Sequence, residues 1–165
     1  MTGEEPRAHG RGHRDRQIDD VAHDPYLARS KPAEPAVCPQ CGLVYHKGRW
    51  QHMPRPERAS GHVCPACHRV NDRNPVGYVT LAGAFADAHA DEIMRLIHNE
   101  EIREAQRHPL QRIIAIEKEQ GTVTVTTTDV HLARRIGDAL HAAFHGELAI
   151  KYSPDEYRVR VNWTR

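Results

Sequence analysis

The sequence predicts an α+β fold in two parts: a four-cysteine zinc-ribbon module, then a ferredoxin-like sheet of β-α-β-β-α-β order extended by one further strand. Three observations carry this. The only four cysteines fall as two C-x-x-C pairs, Cys38-Pro39-Gln40-Cys41 and Cys64-Pro65-Ala66-Cys67, the spacing of a tetrahedral thiolate site. Downstream, segments that alternate apolar and polar residues are interleaved with two stretches whose apolar residues recur every three to four positions. Their order is that of a split βαβ unit, in which two helices cover one face of an antiparallel sheet. The expected domains are a disordered arm over 1–36, the four-cysteine module over 37–75 and the sheet domain over 76–165.

The arm is rich in Gly, Pro, Arg, Asp and His and shows no apolar period, so it reads as solvated chain. Its basic end, Arg11-Gly12-His13-Arg14-Asp15-Arg16, is the part that would order on a partner. Asp24-Pro25-Tyr26-Leu27 is a candidate anchor, because Tyr26 and Leu27 form an adjacent apolar pair. Residues 32–35 act as a stiff, proline-bounded spacer. In the metal module, Gly42 sits where a knuckle turn needs positive φ. Residues 43–46 and 49–51 are expected to pair as a hairpin about Lys47-Gly48. A basic, proline-rich loop follows over 53–61. Residues 68–73 suit a helical turn, which Asn74-Pro75 stops because a residue before proline disfavours helix.

In the sheet domain, 77–81 is a strand and Gly83 breaks the chain. One long helix is expected over 85–106, with Phe85, Ala88, Ile93, Leu96 and Ile97 on one face and His108-Pro109 at its end. Residues 112–117 and 122–126 form a hairpin through Glu119-Gln120-Gly121. Thr128-Asp129 caps a second helix that buries Leu132, Ala133, Ile136, Leu140 and Phe144 and ends at Gly146. Residues 147–152 and 157–163 close the domain around Ser153-Pro154-Asp155. The inward set is Val123, Val125, Leu148 or Ala149, Ile150, Val159, Val161 and Trp163. The outward set is Thr122, Thr124, Thr126, Lys151, Arg158, Arg160 and Asn162.

The formal net charge of +1 hides an uneven distribution. Between 32 and 75, Lys47, Arg49, Arg55, Arg58, Arg69 and Arg73 face only Glu34, Glu57 and Asp72. No apolar run approaches the ~20 residues of a membrane span, and the N-terminus is not of signal-peptide type. A cytoplasmic location with no membrane partner is expected, and a reducing compartment favours metal thiolates over disulfides. The chain has no P-loop, dinucleotide fingerprint or nucleophile elbow. Glu100 and Glu101, adjacent on a helix, diverge by about 100° instead of converging. His141 and His145 stand at i, i+4 but lack the Glu of a metalloprotease motif, which makes them surface histidines. No enzyme activity and no small-molecule substrate are expected.

Four thiolates fill every position around a tetrahedral ion, so the expected cofactor is a structural Zn²⁺ held by Cys38, Cys41, Cys64 and Cys67. His46, His62 and His68 lie nearby in sequence and read as surrounding residues. The run Cys38-Pro39-Gln40-Cys41-Gly42-Leu43-Val44-Tyr45 resembles a rubredoxin or zinc-ribbon knuckle. Rubredoxin would imply iron and electron transfer, but it usually carries glycine after its last cysteine, where this chain has His68. Together with Thr124-Val125-Thr126-Thr127-Thr128-Asp129-Val130-His131-Leu132-Ala133-Arg134-Arg135-Ile136 and a closing β-hairpin, the two knuckles resemble a small bacterial zinc-ribbon family. That family is distantly similar to the N-terminal part of the large-ribosomal-subunit export adaptor of the nonsense-mediated-decay-protein-three family. The resemblance spans roughly 35–163, its only specific positions being the four cysteines, and it implies a module associated with RNA or the ribosome. Candidate nucleic-acid contacts are Lys47, Arg49, Trp50, Arg55 and Arg58 on the metal module and Lys151, Arg158 and Arg160 on the sheet. The cations would meet phosphates, and Trp50 with Tyr45 would stack on bases. The same residues also fit a solvated sheet face and two aromatics packing a small module. The competing expectation is a protein-interaction adaptor with purely structural zinc.

Overall fold

The structure is a computed structural model that describes residues 24–28 and 31–165. Its first sheet is small. Strands β1 (Ala36–Val37), β2 (Val44–His46), β3 (Arg49–Gln51) and β4 (Ser60–Gly61) lie in the order β3-β2-β1-β4. The β2–β3 hairpin turns through Lys47 and Gly48, both at positive φ (51° and 75°), a geometry that matches the twist of paired strands. The Lys47 and Gly48 amides donate to the Glu34 carboxylate at 2.9 and 2.8 Å, so the residue read as part of a spacer caps this turn. The loop expected over 53–61 ends in pairing: β4 runs parallel to β1.

Helix α1 (Pro25–Ala28) docks on α2 (Pro65–Asp72). Asp24 and Arg69 form a buried ion pair. The Arg69 guanidinium lies 4.3 Å above the Tyr26 ring, and the Tyr26 hydroxyl donates to Asp72 at 2.9 Å. The arm expected to be disordered over 1–36 is therefore folded in part: Asp24 and Tyr26 anchor it, and Ala36 opens β1. The remainder of that expectation, including the basic end at 11–16, lies outside the described residues.

The second sheet holds β5 (Gly77–Ala82), β6 (Ile113–Glu119), β7 (Thr122–Thr127), β8 (Glu147–Tyr152) and β9 (Val159–Thr164), in the order β6-β7-β5-β9-β8. The α+β class and the order of elements are those expected. The sheet is mixed, however, not wholly antiparallel: β9 pairs parallel to β5, and β8 is displaced to the edge. Apolar content accounts for the exchange. Val159, Val161 and Trp163 of β9 are fully buried, whereas Leu148 and Ile150 of β8 are only half-buried, and a strand flanked on both sides is the better site for the more apolar sequence.

The single helix expected over 85–106 is two, α3 (Ala84–Ala88) and α4 (Ala90–Arg107), broken at His89. The break lets Phe85 turn onto the core, where it meets Trp163 edge-on at 6.4 Å while His89 stacks on the Phe85 ring at 4.0 Å. Helix α5 (Val130–Phe144) starts from Asp129, whose carboxylate accepts from the His131 and Leu132 amides at 2.7 and 3.2 Å. One core joins Val79, Leu81, Val125, Val161 and Trp163 to Ile93, Ile97, Leu132, Ile136 and Leu140. Leu148, not Ala149, is the inward residue of its pair. Gly137 brings α5 against β9: a Cβ there would lie 2.5 Å from Val161 Cγ1.

Candidate metal centre

Both C-x-x-C pairs sit at ends of backbone elements. Cys38 leaves β1 and enters a knuckle in which the Cys38 amide donates to the Leu43 carbonyl at 2.8 Å and the Gly42 amide donates to the Cys38 carbonyl at 2.9 Å. Gly42 closes this turn at φ 78°, as the sequence predicts. Cys64 is the N-cap of α2, with Pro65 in the first turn, where a missing N–H costs nothing. Its sulfur accepts from the Cys67 amide at 3.4 Å, and the Cys38 sulfur accepts from the Cys64 amide at 3.4 Å. A helix N-terminus favours thiolate through its free amides and dipole.

The four sulfurs all lie within 4.8 Å of one another. Cys41 and Cys64 Sγ are 3.7 Å apart, against the edge of about 3.8 Å of a tetrahedron with ~2.3 Å metal–sulfur bonds. The donor set therefore fits one tetrahedral ion, and it offers no fifth donor among the described residues. Cys38, Cys64 and Cys67 are buried and Cys41 is exposed.

Charge at this site is held by more than the cysteines. The Arg112 guanidinium, just before β6, donates from Nη1 to Cys67 Sγ at 3.3 Å and reaches Cys64 Sγ from Nη2 at 3.8 Å. Its Nε donates to the Pro109 carbonyl at 3.2 Å, and its amide donates to Thr128 Oγ1 at 2.9 Å, so the side chain is fixed at both ends. Burial works against the charge of Arg112, but the sulfurs beside it outweigh that effect and raise its pKa. Burial also pushes the Cys64 and Cys67 thiols up, against the Cys67 amide in the first case and Arg112 in the second. For Cys38 burial is outweighed: amides of Cys64, Cys41 and Gln40 bring the thiol down to about 7. Without a cation the cluster thus resists full ionisation, and a bound divalent ion would supply the missing charge.

The sequence gives no periodic signal for Arg112, which stands in a corner between a helix and a strand. Its role becomes visible only where Thr128 ties that corner down, donating to the Leu110 carbonyl at 2.7 Å. Leu110 packs on the metal module's apolar cluster, and His52 Nε2 lies 3.2 Å from the Ala105 carbonyl of α4. These contacts seat the module on the sheet domain.

The candidate nucleic-acid residues divide. Lys47, Arg49, Arg55 and Arg58 are exposed on the metal module. Arg49 and His52 line one side of a cleft of ≈ 260 Å³ whose other side includes Gln106 and Arg107. Trp50, expected to present a stacking face, is instead buried at 9% exposure, and Tyr45 is buried with it. Their rings pack 5.4 Å apart, and His62 stacks on Trp50 at 6.2 Å. A module this small has few other apolar residues to surround its metal, which is why both rings turn inward. On the sheet, Arg160 and Lys151 are exposed, whereas Arg158 is half-buried and paired with Glu156 at 3.0 Å. His46 and His62 are half-buried and His68 is exposed; none belongs to the metal cluster. No helix among the described residues is long and apolar enough to cross a membrane. Comparison with protein-family models, with curated protein sequences and with solved structures yields no match.

Proposed function

We propose that this protein is a non-enzymatic zinc module that contacts RNA, the ribosome being the assembly in which that RNA is met. One observation carries the reading: a coordinatively closed thiolate cluster holds a hairpin and loop on which Lys47, Arg49, Arg55 and Arg58 are all exposed. Four sulfurs leave a tetrahedral ion no position for water or substrate, so the metal's work is to fix that surface. Zinc is the proposed ion because the site calls for a rigid tetrahedron of thiolates and nothing in the reading requires redox change. Exposed cations on a rigid scaffold bind a polyanion by releasing its counterions.

The test is binding of the purified, metal-loaded chain to ribosomal RNA across a salt series. Affinity is expected to fall linearly with salt on a log–log plot, and an Arg49→Gln, Arg55→Gln, Arg58→Gln variant should flatten the slope by about three. A salt-insensitive complex with a protein, or no association with RNA or ribosomes, would overturn the reading. Metal analysis of natively purified protein, and the visible absorption that Fe(III)–thiolate shows and zinc does not, test the ion.

A further inference from the structure

The outer face of the second sheet carries no helix among the described residues, because β5, β7 and β9 turn their apolar side chains toward α4 and α5. At one register level, reading from edge to edge, it presents Ala115, Thr126, Tyr78, Arg160 and Lys151. The next level is Glu117, Thr124, Thr80, Asn162 and Ala149. Tyr78 stands on the central strand. Two guanidinium groups flank its ring, Arg158 at 5.7 Å and Arg160 at 5.6 Å. Farther along, the face turns acidic, with Glu119 across from Thr122 at one edge and Glu147 across from Thr164 at the other. The cations and the ring are therefore gathered at the end where β5 begins. Residues 73–76 lead into that end directly from α2, so it is the end nearest the metal module.

We infer that this face is a binding platform for single-stranded RNA, with a base stacked at Tyr78, phosphates met by Arg160 and Lys151, and sugar or base edges met by Thr126, Thr124 and Thr80. The platform rests on the RNA reading above and gives it the base-stacking face which that reading lacked, since Trp50 is buried. Its chemistry selects the occupant. An aromatic ring on a central strand, set among cations and short polar side chains, is how open sheets hold unpaired bases. The fully buried core of a protein–protein interface is enriched in apolar residues, whereas the centre of this face sets Tyr78 among Thr80, Thr124, Thr126 and Arg160. Duplex RNA keeps its bases stacked internally and has none to offer Tyr78. The five strands give a platform about 19 Å wide at ordinary strand spacing.

The experiment measures binding of a uridine oligomer of about ten nucleotides, long enough for one such site, to the metal-loaded full chain. Tyr78→Ala should weaken binding about tenfold while Tyr78→Phe keeps it, since the stacking face is what is lost. Arg160→Gln and Lys151→Gln should each lower the salt slope by about one. Photocrosslinking to 5-iodouridine should mark the peptide that contains Tyr78. Unchanged binding in Tyr78→Ala and Arg160→Gln, alongside loss in the Arg49, Arg55, Arg58 variant, would overturn the platform and leave the basic loop as the RNA site. Absence of oligomer binding by the wild-type chain would overturn the platform alone, and absence of binding to ribosomal RNA as well would overturn both. Equal affinity for a duplex of the same length would also overturn the platform. Circular dichroism of each variant distinguishes lost binding from lost fold.

Discussion

At the residue scale the decisive side chain is Arg112. It places a fixed positive charge on two of the four sulfurs and comes from the other half of the molecule. Groups that hydrogen-bond to metal ligands commonly set affinity by about 10–100-fold. Arg112→Ala is therefore expected to weaken zinc binding by at least about tenfold in competition with a chromogenic chelator, with Arg112→Lys recovering part of the loss. Unchanged affinity in Arg112→Ala would show that the contact is incidental. The thiols give the pH dependence its sign. Cys64 and Cys67 are raised by burial, so in the metal-free protein they hold their protons through neutral pH, and metal binding must displace them. Zinc affinity should accordingly rise with pH, and acid should release the ion as protons reclaim the sulfurs. Chelator competition at several pH values reads this directly, and a flat profile would contradict it.

At the element scale, α2 is the piece on which the metal module is assembled. Its N-terminus holds Cys64 and Cys67, and its flank holds α1 through Asp24 and Arg69, whose side chains are 6% and 4% exposed. Removing one partner of a buried pair strands the other charge, at a cost of about 3–5 kcal/mol. Asp24→Ala should release α1 to protease and lower the midpoint of unfolding, and a variant with wild-type protease resistance would refute the docking. In the sheet domain α5 packs closely on β9. A Cβ at position 137 would lie 2.5 Å from Val161 Cγ1 and 3.1 Å from Leu148 Cδ1. Gly137→Val is expected to cost about 1–3 kcal/mol by overpacking, measured by denaturant unfolding. These elements were differently legible in the sequence. The Lys47-Gly48 and Gln120-Gly121 turns could be read because backbone chemistry is local. The break at His89 could not, because its cause is Phe85 meeting Trp163 from the far end of the chain.

At the scale of the whole molecule, the described residues form two separate cores. The larger is built from the second sheet with α4 and α5; the smaller surrounds the cysteines with Ala36, Leu43, Tyr45, Trp50 and Ala66. The larger core needs no metal for its burial. Chelation is therefore expected to unfold the metal module while the sheet domain keeps its structure. The two tryptophans separate these events, since Trp50 lies in the small core and Trp163 in the large one. Emission should change on chelation in the wild-type chain and stay constant in Trp50→Phe. A chelation response that survives Trp50→Phe would mean that the sheet domain unfolds as well.

By itself the sequence determined the metal site and the inventory of elements. Two C-x-x-C pairs fix which atoms can converge, and apolar periodicity fixes which stretch is helix or strand, because both depend on neighbours within a few positions. Only the tertiary structure decided which strand occupies the centre of the sheet, where Trp50 points, and that Arg112 rests on the sulfurs. Those outcomes depend on competition for burial between residues far apart in the chain. Val159, Val161 and Trp163 displace β8 from the centre because they hide more apolar surface there. Trp50 turns inward because the small module has few other apolar side chains to cover its metal.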